Sequence, residues 1–408
     1  MTPLKKTSVR GLTLGTTGAL VAGLIATTAT PAGAAPVDVP PAKTVSGELA
    51  GPIGMEDDAA GNVYVASQNN DSVVVHRKNA SGPSAPLRRI SGAATDLNGP
   101  RDVALDANGF LYVSQIDGTV SVFAPNADGN VAPVKTFGTG AGPAWGVDVA
   151  GGEIYVRKSD RYNVYAPSAT GATAPTERSV TGLGTGQSLA VSGSKVWVPN
   201  GTQLRAYSRS ADGAGATPIQ SVTNALPNTE INGLDTDAAG RVHVATFNPA
   251  TVRVFAPNAD GAQAPLKVLG GPASGLSLAT GLTVLGNGSF AVAHFFQAKY
   301  SVFPDLFRKP VTRPGKVRAL KVRGKAVSKN RKITWRAPAS NGGARITAYR
   351  VIVRKGGKVL VKRTVSGSRR SLVVKRAKLR RGVDAVYVQA RNAQGYGPVV
   401  KKNFRVRK

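Results

Sequence analysis

Three histidines and a modest set of carboxylates are all that this chain offers for acid–base or metal chemistry, because cysteine is absent. Without Cys there is no thiolate nucleophile, no thiolate metal site and no disulfide. His243 falls where other stretches of the chain carry Tyr64, Tyr112, Tyr155 and Trp197, and His76 where they carry Phe123, Tyr165, Tyr207 and Phe255. Both read as packing residues. His294 aligns instead with Ser67, Gln115, Lys158, Asn200 and Thr246, a polar position just past a strand, and is kept as a ligand candidate. Among the acids, Asp58, Asp106 and Asp237 head turns of the form Asp-Ala-Ala-Gly or Asp-Ala-Asn-Gly, where a carboxylate caps the backbone that follows. Asp128, Asp212 and Asp260 stand in loops that begin like a calcium loop but lack its remaining ligands and closing Glu. Glu56 and Asp235 differ, since they share one inner-strand position that is filled elsewhere by Ala104, Val147, Leu189 and Thr283. Asp102 and Trp145 align with each other one alternation earlier. Glu56, Asp102, Trp145, Asp235 and His294 therefore form the candidate ligand-binding set. A metal-assisted reaction needs several such groups converging, and only Glu56, Asp235 and His294 make a trio suited to it. No catalytic residue, metal ligand or cofactor is assigned, and the reading leans away from an enzyme.

The elements that must position these residues are repeats. The stretch from Gly99 to Phe137, GPRDVALDANGFLYVSQIDGTVSVFAPNADGNVAPVKTF, has counterparts beginning at Gly51 and Gly142 and three more beyond. APNADG at Ala124 returns at Ala256, three repeats on, which sets the period at about 44 residues. Each unit carries four period-two apolar runs, here Val103 to Leu105, Phe110 to Ser114, Thr119 to Phe123 and Val134 to Phe137. Runs of that kind between Asp/Asn-Gly turns are hairpin strands, and four per unit at this period indicate propeller blades. The sixth unit stops at Tyr300-Ser-Val-Phe303 without its fourth strand. Pro41-Ala-Lys-Thr-Val45 mirrors Pro133-Val-Lys-Thr-Phe137, so Pro41 to Ser46 is expected to pair with the strand ending at Phe303 and leave the ring no free edge.

These repeats resemble the NHL-type and gluconolactonase-like six-bladed propellers, on the pattern GP-x-x-V-A-x-D, G-x-L-Y-V and V-x-V-F-A-P, over about residues 41–304. The resemblance implies an all-β fold, a six-bladed β-propeller closed by an N-terminal strand. It implies no single function, since such propellers host lyases, lactonases, sensors and binding scaffolds.

The two ends of the chain are different objects. Lys5, Lys6 and Arg10, the apolar run Gly18 to Ala26 and Ala32-Gly33-Ala34 read as a signal peptide over 1–34, which predicts a secreted mature chain, envelope-associated or free, with no transmembrane segment. From Phe307 onward lie 32 of the 53 basic residues against one acid, Asp384. After a linker at 305–314, six short strands and a seventh near Pro398 to Phe404 predict a β-sandwich over 315–408. Trp335-x-x-Pro338, Gly342-Gly343, Ile346-x-x-Tyr349 and Ala390-Arg-Asn392-x-x-Gly395-x-Gly397 resemble fibronectin type III, with Asp384 where that family has its corner tyrosine. So one-sided a charge repels itself, and polyanions relieve it. The candidate contacts are Lys329, Arg331 and Lys332, then Arg354 and Lys355, then Lys375, Arg376, Lys378, Arg380 and Arg381. Expected partners are anionic polymers of cell wall or matrix, anionic lipid surfaces or released nucleic acid. Sequence-specific nucleic-acid reading is not expected, because aromatics are not interleaved for base stacking. The function this supports is a non-enzymatic binding or adhesion protein. A metal-dependent propeller lactonase or lyase, or a module of a polysaccharide-degrading system, are the alternatives.

Overall fold

The structure, a computed structural model, describes residues 34–223, 231–308, 311–324 and 330–406. The expected targeting segment therefore lies outside the described residues except for its last position, and so does Lys329. The chain divides into two compact units, Met1–Leu306 and Phe307–Lys408. Among the described residues no helix is long and apolar enough to cross a membrane.

Among the described residues of the first unit the strands form six sheets, antiparallel throughout but for one short parallel pairing at the edge of the sixth. In the sheet Pro100–Leu105, Leu111–Gln115, Thr119–Phe123 and Lys135–Gly138, each strand pairs with the next. The turn chemistry that predicts these hairpins is present atom by atom. Asp106 accepts from the N–H of Asn108 and Phe110, both at 2.9 Å, and Asp58 and Asp237 do the same in their own turns. The first strand of each sheet lies beside the first strand of the next, and that of the sixth returns to the first, which makes the unit a β-propeller. Apolar faces of neighbouring sheets meet in shared clusters, for example Ala104, Tyr112 and Val120 with Val147, Ile154 and Val156.

Two devices hold the sheets to one another. At the rim, the loop between third and fourth strands docks on the preceding sheet: Gly129 bridges Ile90, Gly213 bridges Val180 and Gly261 bridges Val222. The aspartates that begin like calcium ligands are the latches of this contact. Asp128, Asp212 and Asp260 accept from the backbone N–H of Arg89, Ser179 and Ser221, at 2.9, 2.8 and 2.7 Å. At the seam, Lys43–Ser46 supplies the outer strand of the sixth sheet, antiparallel to Lys299–Phe303 with Lys43 opposite Val302 and Ser46 opposite Lys299. The residues before it also act as that sheet's docking loop. Val37 bridges Leu269 of the fifth sheet, and Asp38 accepts from the N–H of Ser274 at 3.0 Å. In turn Gly82–Pro83, from the loop between the third and fourth strands of the first sheet, pairs in parallel with Val45 and Ser46.

The second unit is two sheets around one core. Arg318–Arg323, Asn330–Arg336 and Ser371–Lys375 form a three-stranded sheet. Lys358–Ser366, Ala348–Lys355 and Gly382–Asn392 form the other, with Val400–Val406 and Gly395–Tyr396 added against Gly382–Asn392. Ile333, Trp335 and Val374 from one sheet pack on Tyr349, Val351, Val386 and Val388 from the other. The alternation along each strand fixes which side chains enter this core and which face water.

Candidate functional site

Six first strands converge on the axis of the propeller, so their inward side chains line a narrow channel. Gly54, Gly146, Gly233 and Gly281 occupy one level of it. A Cβ on Gly281 would sit 1.8 Å from the carbonyl oxygen of Ile53, so the strands approach this closely only because glycine is there. Asp102 stands at the same level and projects a carboxylate into the constriction. The next level inward holds Glu56, Asp148 and Asp235, in the first, third and fifth sheets, alternating with Ala104, Ala190 and Thr283.

This register corrects two alignments read from sequence. Asp148 and Ala190, not Val147 and Leu189, are the equivalents of Glu56. The hairpin turn after the first strand is one residue shorter in the third and fourth sheets: Asp148 pairs with Tyr155 and Ala190 with Trp197, whereas Glu56 pairs with Tyr64 and Asp235 with His243. Counting back from the second-strand aromatic recovers Asp148; counting forward from Gly-Pro misses it. For the same reason Trp145 corresponds to Arg101, and Asp102 to Gly146.

Three of the four channel carboxylates tie sheets together. Asp102 accepts from the N–H of Val103 at 3.0 Å and from Val147 of the next sheet at 3.2 Å. Asp148 accepts from Val149 and from Val191 of the next sheet, both at 2.6 Å, and Asp235 from Thr236 and Val284 at the same distance. Glu56 makes no hydrogen bond to any described residue. Burial pushes Asp102 up to about 8 and Asp148 up to about 6, against the opposing pull of the N–H groups that each accepts. Asp235 is raised by the same burial. Glu56 lies well above the usual carboxylate range, through burial first and then the charges of Asp235, Asp148, Asp57 and Asp102. The channel has about 30 Å³ of space for water centres, room for a water or two.

Above the constriction the channel widens into a mouth built from the starts of the first strands and the connections between second and third strands. Arg101, Gln187 and Asn232 line both the channel and this mouth, a cavity of about 310 Å³ completed by Gln68, Thr280, Phe247, Phe295 and Phe296. The Arg101 guanidinium lies 4.4 Å from the centre of the Trp145 ring, whose Nε1 donates to Ser159 at 3.3 Å. Four of the five sequence-predicted residues, Glu56, Asp102, Trp145 and Asp235, thus meet along the axis. His294 does not join them. It is fully buried inside the sixth sheet, with Nδ1 3.1 Å from the Ser277 carbonyl and Nε2 3.0 Å from Ser301 Oγ. The position is the last residue of the second strand, Phe290–His294, and not one past it, so its side chain turns into the sheet. Among the described residues, no three His, Cys, Asp or Glu side chains are placed to hold a metal ion.

On the second unit, Lys332, Arg354, Lys375, Lys378, Arg380 and Arg381 are exposed and Lys355 is partly so. Arg331 is not a surface residue: it is buried, and its Nη2 donates to the Arg405 carbonyl at 3.2 Å. Arg376 starts a short 3₁₀ turn, Arg376–Lys378. What sequence reasoning missed is the outward face of the larger sheet. Register places Arg350, Ile352 and Arg354 beside Gln389, Tyr387 and Ala385, with Lys362 opposite Ile352 and Lys401 opposite Tyr387. Tyr396, opposite Arg391, joins them. The Arg350 guanidinium lies 3.9 Å from the centre of the Tyr396 ring and is steered by Gln389 Oε1, which accepts from its Nη2 at 2.7 Å. Arg391 approaches the same ring at 5.5 Å, and Arg354 and Lys401 each approach Tyr387 at 5.9 Å. The unit's single acid, Asp384, is buried in the core, so no carboxylate opposes these cations on the face.

No family model and no curated protein matches the chain. Solved structures do. The WD40 β-propeller domain of Doa1 is similar at 11% identity and a TM-score of 0.48, over 66% of this chain and 97% of that one. The extracellular domain of the hybrid two-component system BT3049 of B. thetaiotaomicron is similar at 14% identity and a TM-score of 0.40, over 88% of this chain and 50% of that one. Likeness at this level does not reach function. The chain is an all-β protein whose first unit is a β-propeller.

Proposed function

We propose that this is a secreted binding protein: a six-bladed propeller of NHL type that serves as a ligand scaffold, joined to a fibronectin-type-III-like sandwich that attaches to anionic polymers of the cell envelope or matrix. The arrangement of strands in sheets of three and five, the paired Trp335 and Tyr349 in the core and the Gly-rich turn at Gly342-Gly343 support the sandwich reading. The observation that carries the functional reading is the outward face of the larger sheet. Arg350, Arg354, Lys362, Arg391 and Lys401 share it with two tyrosines and no acid. A guanidinium laid flat on a tyrosine keeps its edge free for an oxyanion while the ring limits its motion. That is a surface for repeated anionic groups, and its attraction falls with salt because bound polymer releases counterions.

The test is binding of labelled heparin and of poly-glutamate across a salt series, with wild type and with Arg350→Gln, Arg354→Gln and Arg391→Gln combined. Neutralising three contacts should lower the slope of log affinity against log salt by roughly 3. The combination Lys332→Gln, Lys375→Gln and Lys378→Gln, on the other sheet and its following turn, should change it less. Equal losses from the two sets would make the charge a generic coat; a salt-independent affinity would remove the polyanion reading altogether.

A further inference from the structure

The propeller mouth contains a cation with no counter-ion. Arg101 is half-buried, its Nε has neither solvent nor a hydrogen-bond partner, and no described carboxylate pairs with it. The adjacent Asp102 is engaged by the Val103 and Val147 N–H groups instead. A half-buried charge with one orphaned N–H gains from an anion that completes it. The Trp145 ring covers it on one side, and the indole N–H donates to Ser159 Oγ. Elsewhere on the same lining Asn232 Oδ1 is buried without a partner, an acceptor open to a donor. Across the cavity stand Phe247, Phe295 and Phe296. Phe295 and Phe296 meet edge to face at 5.1 Å, and Phe296 is 72% exposed, the most exposed large apolar side chain described. Single apolar residues at a surface need no explanation, but this one rims a cavity that is also lined by a guanidinium and three side-chain amides.

We propose that this mouth binds a small organic carboxylate carrying an apolar ring, the carboxylate on Arg101 and the ring against Phe295 and Phe296. The inference rests on reading the propeller as a ligand scaffold and adds the ligand's chemistry to it. A carboxylate matches the planar fork of a guanidinium, and the Trp145 ring leaves that fork's edge open. The cavity, at about 310 Å³, is of the size that encloses a molecule of a dozen or so heavy atoms and not a polymer. The side-chain amide N–H groups of Gln187 and Asn232 are further donors on the lining for the carboxylate, and Asn232 Oδ1 would accept from a hydroxyl on the ligand.

Sodium benzoate is the probe, with benzamide as its uncharged analogue, titrated into the full chain at constant ionic strength and followed by tryptophan fluorescence. Trp197 and Trp335 are buried in the cores of the two units, so a response at the mouth reports Trp145 and vanishes in Trp145→Phe. Benzoate should bind in the millimolar range or tighter, and benzamide at least about tenfold more weakly. Arg101→Gln should lose about 30-fold in benzoate affinity, the worth of a charge-assisted pair, and Phe296→Ala, at an exposed site that leaves folding intact, about 5-fold. Heparin binding by the basic unit should be unchanged in both variants. Equal affinity for benzamide, or an Arg101→Gln variant that folds and binds benzoate as wild type does, overturns the carboxylate clamp while leaving the scaffold reading standing. Absence of any mouth response to either probe overturns both.

Discussion

Deleting Pro36–Ser46 should lower the melting temperature of the propeller by about 10–20 °C, and adding the same segment back as a peptide should restore much of it. The deletion removes more than one strand. It takes away the ladder against Lys299–Phe303, the bridge from Val37 to Leu269, the Asp38 latch on Ser274 and the surface on which Gly82–Pro83 docks. Val45 is fully buried among Val65, Val74, Ala293 and Tyr300, and its burial alone is worth about 1.5–3 kcal/mol. Each ladder hydrogen bond adds about 1 kcal/mol. The total, about 5 kcal/mol or more, is a large part of what holds a domain folded. What remains exposes the edge of Lys299–Phe303, with Tyr300 and Phe303 beside it, and such an edge recruits other chains. Concentration-dependent aggregation of the deleted protein, suppressed by the peptide, is therefore expected alongside the lower melting temperature. A deleted protein that melts with wild type in calorimetry would mean that the seam is sealed by something else.

The deletion also marks how far the sequence could be read. The seam was visible because Pro41-Ala-Lys-Thr-Val45 repeats a strand already known to be fourth in its unit, so likeness alone named the partner. The same self-similarity located the sheets, because period-two runs between Asp/Asn-Gly turns leave few other ways to bury their apolar faces. It fails where two units depart from the others by a single residue. Ala150-Gly151-Gly152 shortens a hairpin turn, and Asp148 slid out of alignment with Glu56 and Asp235. The rim aspartates were legible as turn residues but not as latches, since the Arg89, Ser179 and Ser221 amides they bind belong to a neighbouring repeat. Arg101, Gln187 and Asn232 carried no signal, because each is a single polar residue at a strand start and only closure of the ring brings them together. The tyrosine-lined basic face was hidden for a related reason: Arg350, Tyr387 and Tyr396 are distant in sequence and become neighbours through strand register. Repetition makes a fold readable, and a site made of exceptions to the repeat is not.

The exceptions in the channel predict an unusual response to pH. Glu56, Asp102, Asp148 and Asp235 all hold their protons more tightly in the folded protein than in an unfolded chain. The folded state then binds more protons than the unfolded state, so stability is complete below the ordinary carboxylate range near 4 and is lost as pH rises through the folded values, up to about 8 for Asp102. Glu153 acts in the opposite direction. Burial raises it, but hydrogen bonds from Tyr155, Arg178 and Arg209 outweigh that and hold it at about 2, so its contribution is lost only as the medium becomes strongly acid. Between these limits the propeller should be most stable at about pH 5 and less so at about pH 8.5. Discounted for the water that reaches the channel, the difference is about 3 kcal/mol, or roughly 6–12 °C in melting temperature. Glu56→Gln isolates the cause, because Glu56 makes no hydrogen bond that the amide would break. At about pH 8.5 the variant should melt higher than wild type, and at about pH 5 the gap should be much smaller. Calorimetry on both proteins at both pH values decides the matter. An equal effect of the substitution at the two pH values would place the proton elsewhere, and a propeller that gained stability toward alkaline pH would show that these carboxylates are ionised where they stand.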